Sequence, residues 1–70
     1  MHFLVTVGSW YVVGSIAHRT DRRFIIMATG FEESKIKGVA YAKKSAYSGM
    51  TWNGFEFLES QKVKVPFEIL

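Results

Sequence analysis

Thr29-Gly30-Phe31-Glu32-Glu33-Ser34-Lys35-Ile36-Lys37-Gly38-Val39-Ala40-Tyr41-Ala42-Lys43-Lys44-Ser45-Ala46-Tyr47-Ser48-Gly49 is the stretch whose reading decides the fold. Its pattern predicts one helix in a chain otherwise made of strand formers. Thr29 and Glu32 stand at capping-box spacing. Glu32 and Glu33 sit at the positive end of the helix dipole, Lys43 and Lys44 at the negative end. Ser48-Gly49 supplies a C-terminal stop. At about 100° per residue, Ile36, Val39, Ala40, Ala46 and Tyr47 share one side and are expected to face the core, with the Lys43 stem snorkelling beside them. Gly38 costs about 1 kcal/mol against alanine in a helix interior and is expected to mark close packing.

On the N-terminal side, His2 to Ala17 is rich in β-branched and aromatic residues, as strands are. Gly8-Ser9 interrupts that run and is read as a hairpin turn or sharp bend; a bulge in one long strand is the alternative. His18-Arg19-Thr20-Asp21-Arg22 is polar and predicts a turn. Arg23 to Thr29 predicts a strand that is apolar on both sides, hence central and covered on both faces. On the C-terminal side, Met50-Thr51-Trp52 leads to Asn53-Gly54, the strongest short hairpin signal in the chain. Phe55 to Glu59 alternates, Ser60-Gln61 predicts a turn, and Lys62 to Leu70 alternates again, with Pro66 placing that strand at an edge. The expected architecture is α+β: a small antiparallel sheet of about five strands, order β-β-β-α-β-β, with one helix on one face. A small β-barrel is the alternative. One helix leaves the other sheet face bare, to curl into a half-barrel, dimerise or hold a partner.

Seventy residues make one domain, residues 1–70. Hydrophobic residues are 49% of the chain and aromatics 16%, too rich for intrinsic disorder and generous enough to raise the expectation of an interface. The chain has no cysteine, which excludes disulfides and thiolate metal sites and fits a reducing compartment. No run approaches the ~20 apolar residues of a membrane span, and Met1-His2-Phe3-Leu4-Val5 has no basic segment before its apolar residues. The expected location is therefore cytoplasmic, with no membrane partner and no signal peptide. A net charge of +3 favours acidic proteins or nucleic acid as partners.

Catalysis finds no support in the residue pattern. The two histidines lie at the chain start and in the basic 18–23 segment, and Glu56, Glu59 and Glu68 are scattered along strands. No phosphate-binding glycine loop and no metal-ligand spacing is present. No catalytic residue, metal or cofactor is expected. Two groups are candidates for partner contact. Arg19, Arg22 and Arg23 crowd the predicted turn, where they could grip phosphates or an acidic protein surface. Lys37, Tyr41 and Lys44 fall within ~60° of one another on the side of the helix away from Ile36 and Val39.

Lys37-Gly38-Val39-Ala40-Tyr41 resembles part of the RNP1 motif of the RRM family, although the capping pattern predicts a helix there. Val13-Gly14-Ser15-Ile16, followed by Asp21 and Phe24-Ile25-Ile26, is similar to the strand–turn–strand core of Sm-like small barrels. In size and expected element order, with Phe31-Glu32-Glu33 opening the helix, the chain resembles small phage-encoded inhibitors of the anti-CRISPR or host RNA polymerase inhibitor type. That resemblance implies a phage or mobile-element protein that occupies the surface of a host protein or nucleoprotein complex in the host cytoplasm. The expected function is a non-enzymatic protein-binding module of this kind. A small basic nucleic-acid-binding protein and a structural homo-oligomer, the latter including a homodimer, are the alternatives.

Overall fold

The computed structural model describes residues 1–46 and 52–64. The elements are strand β1 (His2–Val13), strand β2 (Ile16–Met27), helix α1 (Phe31–Lys44) and strand β3 (Trp52–Val63). The three strands form one antiparallel sheet in the order β2-β1-β3. This corrects the expected five strands in β-β-β-α-β-β order to three in β-β-α-β, in an open sheet rather than a barrel.

The difference lies in where the chain turns. Two Gly-Ser dipeptides compete for the first hairpin. Gly14-Ser15 is the turn: Gly14 has φ 64° and no non-glycine residue has positive φ, the sign pattern of a type II′ connection. Gly8-Ser9 instead runs straight through β1. Ser9 is buried there, its hydroxyl donating to the Thr20 carbonyl at 3.3 Å. Gly8 is small because neighbouring side chains occupy the space above it: a Cβ would stand 2.8 Å from Arg19 Nη2 and 3.2 Å from Leu58 Cδ1. The segment 18–22, expected as a turn, is the middle of β2. Its polarity belongs to an edge strand, where charged side chains also discourage unwanted pairing. β2 is therefore not the central strand; β1 is, covered by the helix on one face.

Asn53-Gly54 and Ser60-Gln61 likewise lie inside β3 rather than in turns. Trp10 pairs with Gly54 and Tyr11 with Trp52, so Asn53 is an extra, bulged residue; Thr6 pairs with Glu59 and Val7 with Phe57, so Leu58 is another. Gly54 is needed because the Trp10 indole lies across it, in the space a Cβ would take. Lys62 and Val63 end β3. The rest of the expected 62–70 strand, Pro66 included, falls outside the described residues from position 65 onward.

The helix is where it was expected, but it presents another side to the sheet. Gly30 is its N-cap, without a side-chain cap bond; Thr29 Oγ1 donates to Glu33 Oε2 at 2.8 Å instead of closing a capping box. The buried residues of α1 are Ser34, Gly38 and Ala42, one stripe at i, i+4 and i+8. Ile36, expected in the core, is 67% exposed, Ala40 is exposed, and Val39 and Ala46 are half-buried. Tyr47 and the Ser48-Gly49 stop lie outside the described residues. The stripe is small so that the helix can lie close to β1: a Cβ on Gly38 would stand 2.5 Å from Val5 Cγ1. Ser34 gives its one hydroxyl hydrogen to the Phe31 carbonyl at 2.7 Å, so Ser60 across the interface is the donor in the 2.7 Å Ser34–Ser60 contact.

Beneath the helix, Phe3, Val5, Val7, Ala28 and Ala42 form the core, flanked by Phe24, Ile26, Val39, Phe55 and Phe57. A helix of 14 residues is about 21 Å long and strands of 12 residues are about 40 Å. The helix thus spans about half the length of one sheet face and none of the other.

Candidate functional site

Directly opposed residues of antiparallel strands share a face, so the register maps the open side of the sheet. Successive rows across β2, β1 and β3 read Met27–His2–Val63, Ile25–Leu4–Gln61, Arg23–Thr6–Glu59, Asp21–Gly8–Glu56 and Arg19–Trp10–Gly54. The buried Phe3, Val5 and Val7 point to the helix, so these alternate positions point away from it.

One end of this face is apolar. Ile25 is 56% and Met27 64% exposed, beside half-buried Leu4 and Val63. The middle is charged. Arg19 Nε lies 3.2 Å from Asp21 Oδ1, and its Nη2 lies 3.6 Å from Glu56 Oε2, so one guanidinium bridges both edge strands above Gly8. These groups are half exposed, and such pairs contribute little to stability. Among the described residues, Arg23 and Glu59 make no ion pair, although they flank Thr6 in the same row. At the far end the Trp10 indole lies flat over Gly54.

The six residues singled out from the sequence do not make one patch. Arg19 and Arg23 are on the open face. Arg22 points to the opposite side, where it ties the sheet to the end of the helix. Its Nη2 donates to the Ala42 carbonyl at 2.7 Å, and its Nη1 donates to the Ser45 carbonyl and hydroxyl at 3.3 Å each. This places a cation at the negative end of the helix dipole. The same guanidinium stands 5.2 Å from the Phe24 ring centre. Lys37 is also structural: its Nζ donates to the Met27 carbonyl at 3.1 Å and pairs with Glu33 Oε1 at 2.7 Å. That bond, with the one from Thr29, holds the Glu33 carboxyl below its ordinary pKa. Tyr41 packs edge-on against Phe24, ring centres 4.8 Å apart. Lys44 is exposed at the last turn of α1.

Residue hydropathy alone missed Leu4, Trp10 and Leu58 as members of the open face. The usable signal was the odd-numbered set Arg19, Asp21, Arg23, Ile25 and Met27, which a continuous strand must place on one side. A second aromatic cluster lies on the helix side past the end of α1: Tyr11 stacks on His18 at 5.2 Å, and Trp52 meets Tyr11 edge-on at 5.1 Å.

Among the described residues, no helix is long and apolar enough to cross a membrane, and no three His, Asp or Glu side chains gather as a metal site would require. No protein-family model, no curated protein and no solved structure matches this chain.

Proposed function

We propose that this chain is a non-enzymatic protein-binding module and that its contact surface is the open face of the sheet. The observation that carries this reading is the exposure of Ile25 and Met27 next to Leu4 on a face that, among the described residues, no helix covers. An exposed apolar cluster at one end of the face, bordered on its inner side by Arg23 and Glu59, joins apolar and charged groups as protein interfaces do. Binding acts by occupancy: what the face covers is withheld from other partners.

The nucleic-acid alternative is less well supported. Arg22 and Lys37 are committed to holding the helix, and Arg19 to neighbouring carboxylates. On the open face Asp21, Glu56 and Glu59 outnumber Arg19 and Arg23, so a polyanion would be repelled there. The likeness to small phage inhibitors rested on size, element order and the Phe31-Glu32-Glu33 entry to the helix; the structure replaces the strand order, and size and the helix entry are left to support an inhibitor role.

A photo-crosslinking residue at position 25, on the open face, tests the reading against one at position 36, somewhat more exposed on the helix. In the native cell the position-25 variant is expected to capture protein and the position-36 variant little. Capture of nucleic acid at position 25, or equal protein capture at both positions, would overturn it.

A further inference from the structure

The charges on the open face are arranged in a way that restricts its occupant. Arg23 stands on β2 and Glu59 on β3, on either side of Thr6 in the central strand and without an ion-pair partner among the described residues. An acidic partner would suit Arg23 and clash with Glu59; a basic partner would do the reverse. A second copy turned about a twofold axis parallel to β1 suits both. That rotation exchanges the two edge strands while preserving the rows, so β2 of one copy lies over β3 of the other. Arg23 then faces Glu59 twice, Leu4 meets Leu4, and Met27 meets Val63.

We propose that the open face is an isologous contact with a second copy of this chain, with Arg23 of each copy set against Glu59 of the other. The proposal rests on the reading of this face as a protein contact and names its partner. Two sheets stacked face to face keep their strands within about 30° and stand about 10 Å apart, a gap that an arginine and a glutamate span together. The same rotation sets Asp21 of each copy over Glu56 of the other, a like-charged contact made twice, and the Arg19 guanidinium of each chain, 3.2 Å from Asp21 and 3.6 Å from Glu56, is what offsets it. The footprint is small: three strands at ~4.8 Å spacing by eight residue steps of ~3.4 Å give roughly 400 Å² per copy. That is about half the ~800 Å² per partner of a standard stable interface. An interface this small is expected to be weak and concentration-dependent.

The test is sedimentation equilibrium on the wild-type chain, Arg23→Glu, Glu59→Arg, and an equimolar mixture of the two variants. The wild type is expected to dimerise. Each single reversal sets like charges together twice and should weaken the dimer about tenfold or more. The mixture should recover wild-type association. In the mixed dimer one contact is the native Arg23–Glu59 pair, and the other is the same pair with its two charges exchanged. Pairing within a chain cannot give that recovery. Both residues are exposed, and circular dichroism checks that the variants stay folded. Should either unfold, photo-crosslinking of the otherwise wild-type chain through position 25 decides: a self-crosslinked dimer mapping to the open face supports the proposal. A wild-type chain that stays monomeric near millimolar concentration overturns it, as do reversals without effect or a mixture without recovery. If the chain is monomeric and position 25 still captures another protein, self-pairing fails and the binding-face reading stands; if position 25 captures nothing, both fail.

Discussion

Replacing Gly38 by valine is expected to lift the helix from the sheet and remove a large part of the chain's stability. The position has no room for a side chain. Even the single Cβ of alanine would stand 2.5 Å from Val5 Cγ1 and 3.1 Å from Val5 Cβ, and both atoms belong to a fully buried residue of the central strand. In an exposed helix, Gly→Ala would stabilise by about 1 kcal/mol. Here overpacking opposes that gain by about 1–3 kcal/mol, and lifting the helix also loosens Ser34 and Ala42 on the same stripe. Gly38→Ala should therefore be net destabilising by about 1 kcal/mol. Gly38→Val adds two methyls and should exceed 3 kcal/mol, a large part of the roughly 4–10 kcal/mol expected of a domain this size. Urea denaturation followed by circular dichroism measures both. Val5→Ala should cost less in the Gly38→Ala background than alone, because it clears the space that the new methyl needs. A Gly38→Ala chain more stable than wild type would show that the helix does not approach β1 so closely.

Phe3→Ala is expected to cost about 3–5 kcal/mol, the range for emptying a buried phenylalanine site. Phe3 is 1% exposed and sits in the central strand, with the Phe31 ring edge-on at 4.9 Å. Its neighbours Val5 and Val7 are fixed in a regular strand and cannot collapse into the space. For a domain of this length the midpoint of thermal unfolding should fall by roughly 15 °C or more. Phe31→Ala removes the same ring type from the other side of that contact. Phe31 is 57% exposed, so its loss should cost about 1 kcal/mol. Equal effects of the two substitutions would contradict the core as described.

The position of the helix and the charges at its two ends were legible in the sequence, because charge–dipole complementarity acts within a few residues, although the expected Thr29–Glu32 capping box does not form. The side it buries was not. Hydropathy selects Ile36, Val39 and Ala40, whereas the helix lies on Ser34, Gly38 and Ala42, a choice set by how closely Val5 approaches. Turns failed for a related reason. Gly8-Ser9 and Gly14-Ser15 are the same dipeptide, and only the cross-strand register tells a strand residue from a turn. Asn53-Gly54 carries a strong local hairpin signal, yet Gly54 is required by the Trp10 ring on the neighbouring strand. The basic segment 18–23 read as one cluster because a turn would gather its side chains. A strand divides them between faces, sending Arg22 to the helix end and Arg19 and Arg23 to the open side.

Two surfaces compete to meet a partner, the open sheet face and the outward side of the helix. Three apolar side chains of similar exposure report on them: Ile25 and Met27 on the sheet, Ile36 on the helix. The most direct measurement is the attenuation of their methyl NMR signals by a soluble paramagnetic probe, from dilute to near-millimolar protein. The expected result is that Ile25 and Met27 become shielded as concentration rises while Ile36 stays accessible. Shielding of Ile36 alone, or equal access to all three methyls at every concentration, would contradict it.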